Sequence, residues 1–247
     1  MRPLTIITAV VLSTGLAHQA ECQSQSTPYK YPIIPGTASW DSLHGFSEMR
    51  AACQVPESIL RDLTTEALIQ TCLDYPLFLS FTAYDDSLGG MARVISGFNG
   101  MQELLTRKDA GSIIIKLYTQ LDPRNCDPTW PPLQQGDYTL RLRGLELLIG
   151  HNSILSNLSK DQRRQLLALS IDRARAKLDT RTFGFADVES SALLSARLML
   201  KDRFDEFQTA LESNKRLGEF VARGRFTRRD DVDEILHHAD NCLKTEP

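Results

Sequence analysis

Cys53-Gln54-Val55-Pro56-Glu57, continuing through Ile59-Leu60 and Leu63-Thr64-Thr65-Glu66 to Cys72-Leu73-Asp74-Tyr75-Pro76, is the stretch whose reading decides the fold. Pro56 suits a first helical turn, where its missing N–H is no loss, and Glu57 suits the positive end of the helix dipole. Ile59, Leu60 and Leu63 give that helix an apolar face. Thr64 or Thr65 is placed to cap a second helix by accepting from an unpaired backbone N–H, and Leu68, Ile69, Cys72 and Leu73 recur at steps of three and four residues. Pro76 interrupts the run.

The same pattern repeats outward. Trp40, Leu43 and Phe46 begin a helical stripe that ends at Cys53, and Asp86-Ser87 opens another through Met91, Val94 and Ile95. Phe98-Asn99-Gly100 is a turn signal, and helices are expected over 101–107 and 110–121. Val94-Ile95 and Ile113-Ile114-Ile115 are β-branched and would suit strands locally, but their length and flanks favour helix. A long helix is expected over 138–158. Ser159-Lys160-Asp161-Gln162 then has capping-box spacing, in which serine and glutamine side chains satisfy each other's backbone donors, and starts a helix to 178. Gly184 marks a break before a helix that begins at Asp187 or Ser190 and runs to 211; a short piece over 217–221 follows, and Thr227 starts the last helix, which includes Cys242. The expected fold is all-α, with antiparallel helices in two or three layers, as a bundle or a short helical-repeat-like array without a sizeable sheet.

At 247 residues, 42% hydrophobic and 24% charged, the chain can bury one substantial core. Met1-Arg2 followed by the apolar run from Leu4 to Leu16, with Ala17 and Ala20 as small residues for cleavage, reads as a signal peptide over 1–20. That run is too short to span a bilayer stably, and no transmembrane segment is expected in the mature chain. Residues 21–39, rich in Ser, Gln, Thr and Pro, read as a flexible or extended lead-in. Residues 40–247 read as one all-α domain in two halves, joined by a Pro-rich loop at 122–137. Secretion to the periplasm or beyond is the expected localisation; acylation at Cys22 is disfavoured because Glu21 precedes it. The net charge of −3 becomes one unit more negative when Arg2 is lost with the leader, which argues against nucleic acid as a partner.

In an oxidising compartment Cys53, Cys72, Cys126 and Cys242 are disulfide candidates. A helical hairpin between Cys53 and Cys72 would bring that pair together and leave Cys126 with Cys242. The alternative is that some are buried free thiols.

Several further segments carry a resemblance: Trp40 with Leu43 and Met49, Ala52-Cys53-Gln54-Val55-Pro56-Glu57, Cys72-Leu73-Asp74-Tyr75-Pro76, Phe98-Asn99-Gly100, and Arg107-Lys108-Asp109-Ala110. With Leu145-Glu146-Leu147-Leu148 and Ser191-Ala192-Leu193-Leu194 they resemble a secreted all-helical family of Bacteroidota-type bacteria, itself uncharacterised. The resemblance covers nearly the whole mature chain and implies export and a helical fold. It carries no activity, cofactor or catalytic residue.

Candidate chemistry is sparse, and no catalytic residue can be named. Glu234 and His237 have the i, i+3 spacing of carboxylate-bridged metal bundles, and Asp230, Asp231, Asp233, His238 and Asp240 surround them. No second Glu-x-x-His exists, so a solvated acidic helix is the simpler reading, with no metal and no cofactor expected. There is no Gly-x-Ser-x-Gly elbow and no phosphate loop. Arg223-Gly224-Arg225-Phe226-Thr227-Arg228-Arg229 is a basic run whose field the acids after it would cancel. His44 and His151 read as surface or helix-face residues. Trp130-Pro131-Pro132 offers a rigid aromatic anchor of the kind used at protein interfaces and glycan-binding surfaces, unless Trp130 folds back to seal the core. The expected function is binding or scaffolding through the surface, with another envelope or extracellular protein, or a glycan, as partner. The alternative is a secreted hydrolase whose acids, such as Glu103, Glu146 and Glu189, meet only in three dimensions.

Overall fold

The computed structural model describes residues 25–225 and 227–245; the expected signal peptide, Cys22 and Phe226 lie outside them. The architecture is all-α. Among the described residues the one β-type pairing is an isolated parallel bridge between Gln25 and Leu63. No described helix is long and apolar enough to cross a membrane.

The first half holds α1 (Ala38–Asp41), α2 (Phe46–Ala52), α3 (Glu57–Asp62), α4 (Thr65–Leu73), a 3-10 helix (Phe78–Ala83), α5 (Ser87–Gly97), α6 (Asn99–Leu104) and α7 (Ala110–Gln120). Thr64 caps α4 by accepting from the Ala67 N–H, and Asp86 caps α5 through the Gly89 N–H. α4 packs on α6 and α7, while α5 packs on α6 and on the 3-10 helix. Gly90 makes that last contact possible, since a Cβ there would sit 2.5 Å from the Phe81 carbonyl oxygen.

The second half holds α8 (Pro132–Ile149), α9 (Asn152–Ser156), α10 (Lys160–Leu178), α11 (Phe185–Lys201), α12 (Asp205–Ser213), α13 (Lys215–Arg223) and α14 (Arg229–Thr245). α11 is its axis: α8, α10 and α14 pack along it, and α9, α12 and α13 complete the sleeve. The faces covered this way must be apolar or small, and on α11 Val188, Ala192, Leu193, Leu194, Ala196 and Leu198 are buried together with Ser190, Ser191 and Ser195, while Leu200 and Lys201 stay exposed. The halves meet where α8 packs on the 3-10 helix and α5, and where α7 packs on α10. One apolar cluster runs through both.

Several boundaries differ from those expected. α8 begins at Pro132, with proline in its first turn, so the connection ahead of it is shorter than 122–137 and includes a 3-10 turn at Pro123–Asn125. The run expected over 138–158 breaks at Gly150-His151, where His151 is extended and caps α9. The helix expected to reach 211 stops at Lys201 because Arg203 takes a left-handed φ of 56°, and α12 starts afresh. The segment from Gln25 to Tyr31 lies extended along the first half: the Tyr29 N–H donates to Thr71 Oγ1 at 2.9 Å, and the Tyr31 hydroxyl donates to the Thr71 carbonyl at 2.9 Å.

The disulfide expectation is overturned. Cys53, Cys72, Cys126 and Cys242 are all buried, and no disulfide joins any two of them. The hairpin that would have closed Cys53 on Cys72 does not form, because Leu63 and Thr64 are extended and paired with Gln25, and α4 turns to α6 and α7. Burial pushes the Cys53, Cys72 and Cys126 thiols above their usual pKa, which keeps them protonated and unreactive.

Candidate functional site

Trp130 reaches its position through a chain of local constraints. Asp127 Oδ1 accepts from the Thr129 N–H at 2.7 Å and the Thr129 hydroxyl at 2.6 Å, forming a turn. The Trp130 N–H donates to the Asp127 carbonyl, and Gln135 Nε2 donates back to the Trp130 carbonyl at 2.7 Å. The indole then folds toward the helices and meets Tyr138 edge-to-face, with ring centroids 5.7 Å apart. Tyr138 is itself held, since its hydroxyl donates to the Asp122 carbonyl at 2.8 Å. Pro131 and Pro132 remain exposed, and Leu133 is 86% exposed.

Folding back does not close the surface. Trp130 and Tyr138 form one wall of a groove of about 280 Å³, floored by Leu73, Leu117, Leu121 and Leu142. Gln70, Gln134, Asp137 and Arg141 supply its polar rim. Arg141 is fixed there by Asp137 at 2.8 Å, Asp74 at 3.1 Å and the Leu73 carbonyl at 2.7 Å. The volume lies at the lower edge of the roughly 300–1,000 Å³ usual for ligand pockets, which suits one ring or one large side chain.

A second assembly lies in the interior. Glu146 of α8 and Lys177 of α10 are fully buried and paired at 2.6 Å. The carboxylate also accepts from the Tyr118 hydroxyl at 2.8 Å, the Ser191 hydroxyl at 2.7 Å and the Ser190 hydroxyl. The ammonium donates to Glu146, to the Asp187 carbonyl at 2.8 Å and to Ser191 Oγ at 2.9 Å, which uses all three of its protons. Burial pulls the Lys177 pKa down against the pull of Glu146, and burial followed by the Glu146 charge pushes the Tyr118 hydroxyl well up, so Tyr118 stays a donor. Close by, Arg173 binds the Thr119 and Leu121 carbonyls at the end of α7 and the Asp122 carboxylate at 2.8 Å. This serine–lysine–glutamate set has hydrolytic residue types, but with Glu146 and Lys177 sealed from solvent it works as a bolt between α8, α10 and α11.

The remaining sequence candidates disperse. Glu103 pairs with Arg107 at 2.6 Å, Glu189 accepts from the Thr227 N–H at 3.0 Å, and Glu146 is spent in the core, so the three glutamates have separate partners. On α14, Asp233 binds Arg229, Glu234 accepts from Asn214, Asp240 binds Arg175, His238 contacts Glu206 and His237 contacts Asn241. Among the described residues no group of three or more His, Cys, Asp or Glu side chains is placed to hold a metal ion.

Asp231 is a capping residue rather than a ligand. It is 1% exposed and accepts from Arg216 Nε and Nη2 at 2.8 and 2.7 Å, from the Thr227 hydroxyl at 2.7 Å and from the Arg228 N–H at 2.9 Å. The Arg216 hydrogen bonds, followed by those from Arg228 and Thr227, outweigh burial and hold its pKa well below the usual carboxylate range. A depressed folded pKa gives stability that is present above the unfolded carboxylate pKa, near 4, and lost as pH falls toward the folded value. Arg216 is half-exposed, so Asp231→Asn is expected to cost only about 1–2 kcal/mol at pH 7. The gap from the native protein in urea midpoints should shrink below pH 4; a gap constant from pH 7 to pH 2 would contradict the assignment.

The groove residues Tyr138 and Arg141, and the partners Lys177, Ser190, Ser191 and Tyr118, were missed from sequence. A readable signal existed for two residues of the bolt: Glu146 interrupts the apolar run 145–149, and Lys177 falls on the stripe of Leu167, Ile171 and Ala174.

Fold and groove together define an all-α protein with a locked polar core and small ligand-sized depressions on its surface. No known family model, curated protein or solved structure matches the chain.

Proposed function

We propose that the protein is an exported binding protein that works through the Trp130 groove. The observation carrying this reading is an aromatic wall of Trp130 and Tyr138 over an apolar floor, with amide, carboxylate and guanidinium groups at the rim. Such a site stacks a flat apolar face and hydrogen-bonds its edge, which is the chemistry of a sugar ring or of a projecting side chain on an extracellular partner. Export rests on the leader-like N-terminus and on the resemblance to a secreted helical family. The hydrolase alternative would need at least two of Glu103, Glu146 and Glu189 to meet, and each of them has a separate partner.

The test compares native protein with Trp130→Ala on a glycan array and in capture from the medium of the source cells. A glycan or protein held by the native chain and weakened at least tenfold by Trp130→Ala, with the thermal midpoint kept within a few degrees, supports the reading. Capture of nothing, or equal capture by both proteins, overturns it.

A further inference from the structure

A second pair of depressions adjoins the junction of α5, α9, α11 and α13, and Arg197 stands between them. One, of about 370 Å³, is lined on its apolar side by Leu88, Met91, Ile95 and Leu147; the other, of about 510 Å³, by Leu200, Leu211 and Val221. They share Asn152, Arg197 and Ala222, so the two run together across the guanidinium. Arg197 is half-buried on α11. Its Nε donates to the Gly150 carbonyl at 2.5 Å and its Nη2 to Asn152 Oδ1 at 3.0 Å, both neutral acceptors. Nη1 has no hydrogen-bond partner among the described residues, and no described carboxylate pairs with Arg197; burial alone acts on its pKa, pulling it down.

One turn along α11, Lys201 spends one proton on Ser156 Oγ at 2.8 Å and likewise has no carboxylate partner among the described residues. His151, in the same lining, uses Nδ1 to accept from the Ser153 N–H at 3.2 Å. Asp86, the single acid in the lining, is occupied by the Gly89 N–H at the start of α5. A half-buried cation without a counter-ion is costly, and the cost is recovered when an anion arrives in the same low-dielectric place. Apolar arms on either side add the affinity that an inorganic ion could not gain.

We propose that this groove binds an anionic amphiphile, with a carboxylate head on Arg197 and Lys201 and its hydrocarbon tail along Leu200, Leu211 and Val221. This goes beyond the Trp130 reading and does not depend on it.

The probe is decanoate below its micelle concentration, titrated calorimetrically into the full chain, with decanol and inorganic phosphate as comparisons. Saturable one-to-one binding of decanoate is expected, at least tenfold tighter than decanol, with phosphate alone at least a hundredfold weaker. Arg197→Gln should weaken decanoate at least tenfold. Because Arg197 also holds the Gly150 carbonyl, Ala222→Trp separates binding from stability: it places an indole in the shared stretch from an exposed position, leaves the guanidinium intact, and should lower affinity by a similar factor. Trp130→Ala should leave decanoate binding unchanged. Absence of saturable binding, equal affinity for decanol, or full affinity in the Ala222→Trp protein overturns the proposal.

Discussion

Lys177→Met is expected to destabilise the protein by about 3–5 kcal/mol, the range found when one member of a buried ion pair is removed and its partner is left charged. The Glu146 carboxylate would keep the Tyr118, Ser190 and Ser191 hydroxyls but lose the Lys177 ammonium, in a place with no solvent exposure. Glu146→Leu should cost a similar amount, because the ammonium would keep only the Asp187 carbonyl and Ser191 Oγ. The double variant Glu146→Leu with Lys177→Met should regain much of the loss, since apolar replacements of both charges remove the desolvation penalty that the pair had to overcome. Urea unfolding of the two single variants and the double variant forms the cycle that measures this. Single variants within 1 kcal/mol of the native protein, or a double variant as poor as the sum of the singles, would show that the pair is not the bolt described above.

Phe98→Ala is expected to lose about 3–5 kcal/mol, as full truncation of a buried aromatic side chain does. Phe98 is completely buried and stacks on Tyr75, with ring centroids 4.0 Å apart and planes inclined by 8°. Tyr31 leans on both rings, with centroids 6.2 Å from Tyr75 and 6.3 Å from Phe98, and Tyr29 meets Tyr31 edge-on at 5.1 Å. Loss of Phe98 therefore removes more than its own area, because it loosens the seat on which residues 29–31 are laid. Limited proteolysis should show faster cleavage near Tyr29 and Tyr31 in the variant, alongside the lowered unfolding midpoint. Unchanged cleavage there would mean that the two backbone and hydroxyl bonds to Thr71 hold the segment without the rings.

Local chemistry was legible in the sequence where the interaction itself is local. The Ser159–Gln162 capping box forms as expected, with Gln162 Oε1 accepting from the Ser159 N–H at 2.9 Å and Ser159 Oγ accepting from the Gln162 N–H at 3.2 Å. Thr64 caps α4. Features that depend on distant partners were not legible. The groove beneath Trp130 needs Leu73 from α4 and Leu117 from α7, and nothing in the 127–132 segment foretells them. The stop at Arg203 carries no glycine or proline to announce it. Cys53 and Cys72 look like a pair on a hairpin, but the hairpin depends on α4 choosing α3, and the apolar faces of α6 and α7 compete successfully for it. Glu146 and Lys177 each leave a trace in the sequence, a charge out of place on an apolar face. Their meeting across 31 positions of chain is a tertiary fact.

The enclosure of α11 also limits how this protein can vary. Ser190, Ser191, Ala192, Ser195 and Ala196 are small where α8, α10 and α14 come close, and Ser170 of α10 meets Ser195 at 2.7 Å. On these covered faces of the rod there is no space in which a bulkier residue could be stored. Enlargement at one of these positions has to be matched by shrinkage on a facing helix, so drift along α11 should proceed in paired steps while the outer helices change one residue at a time.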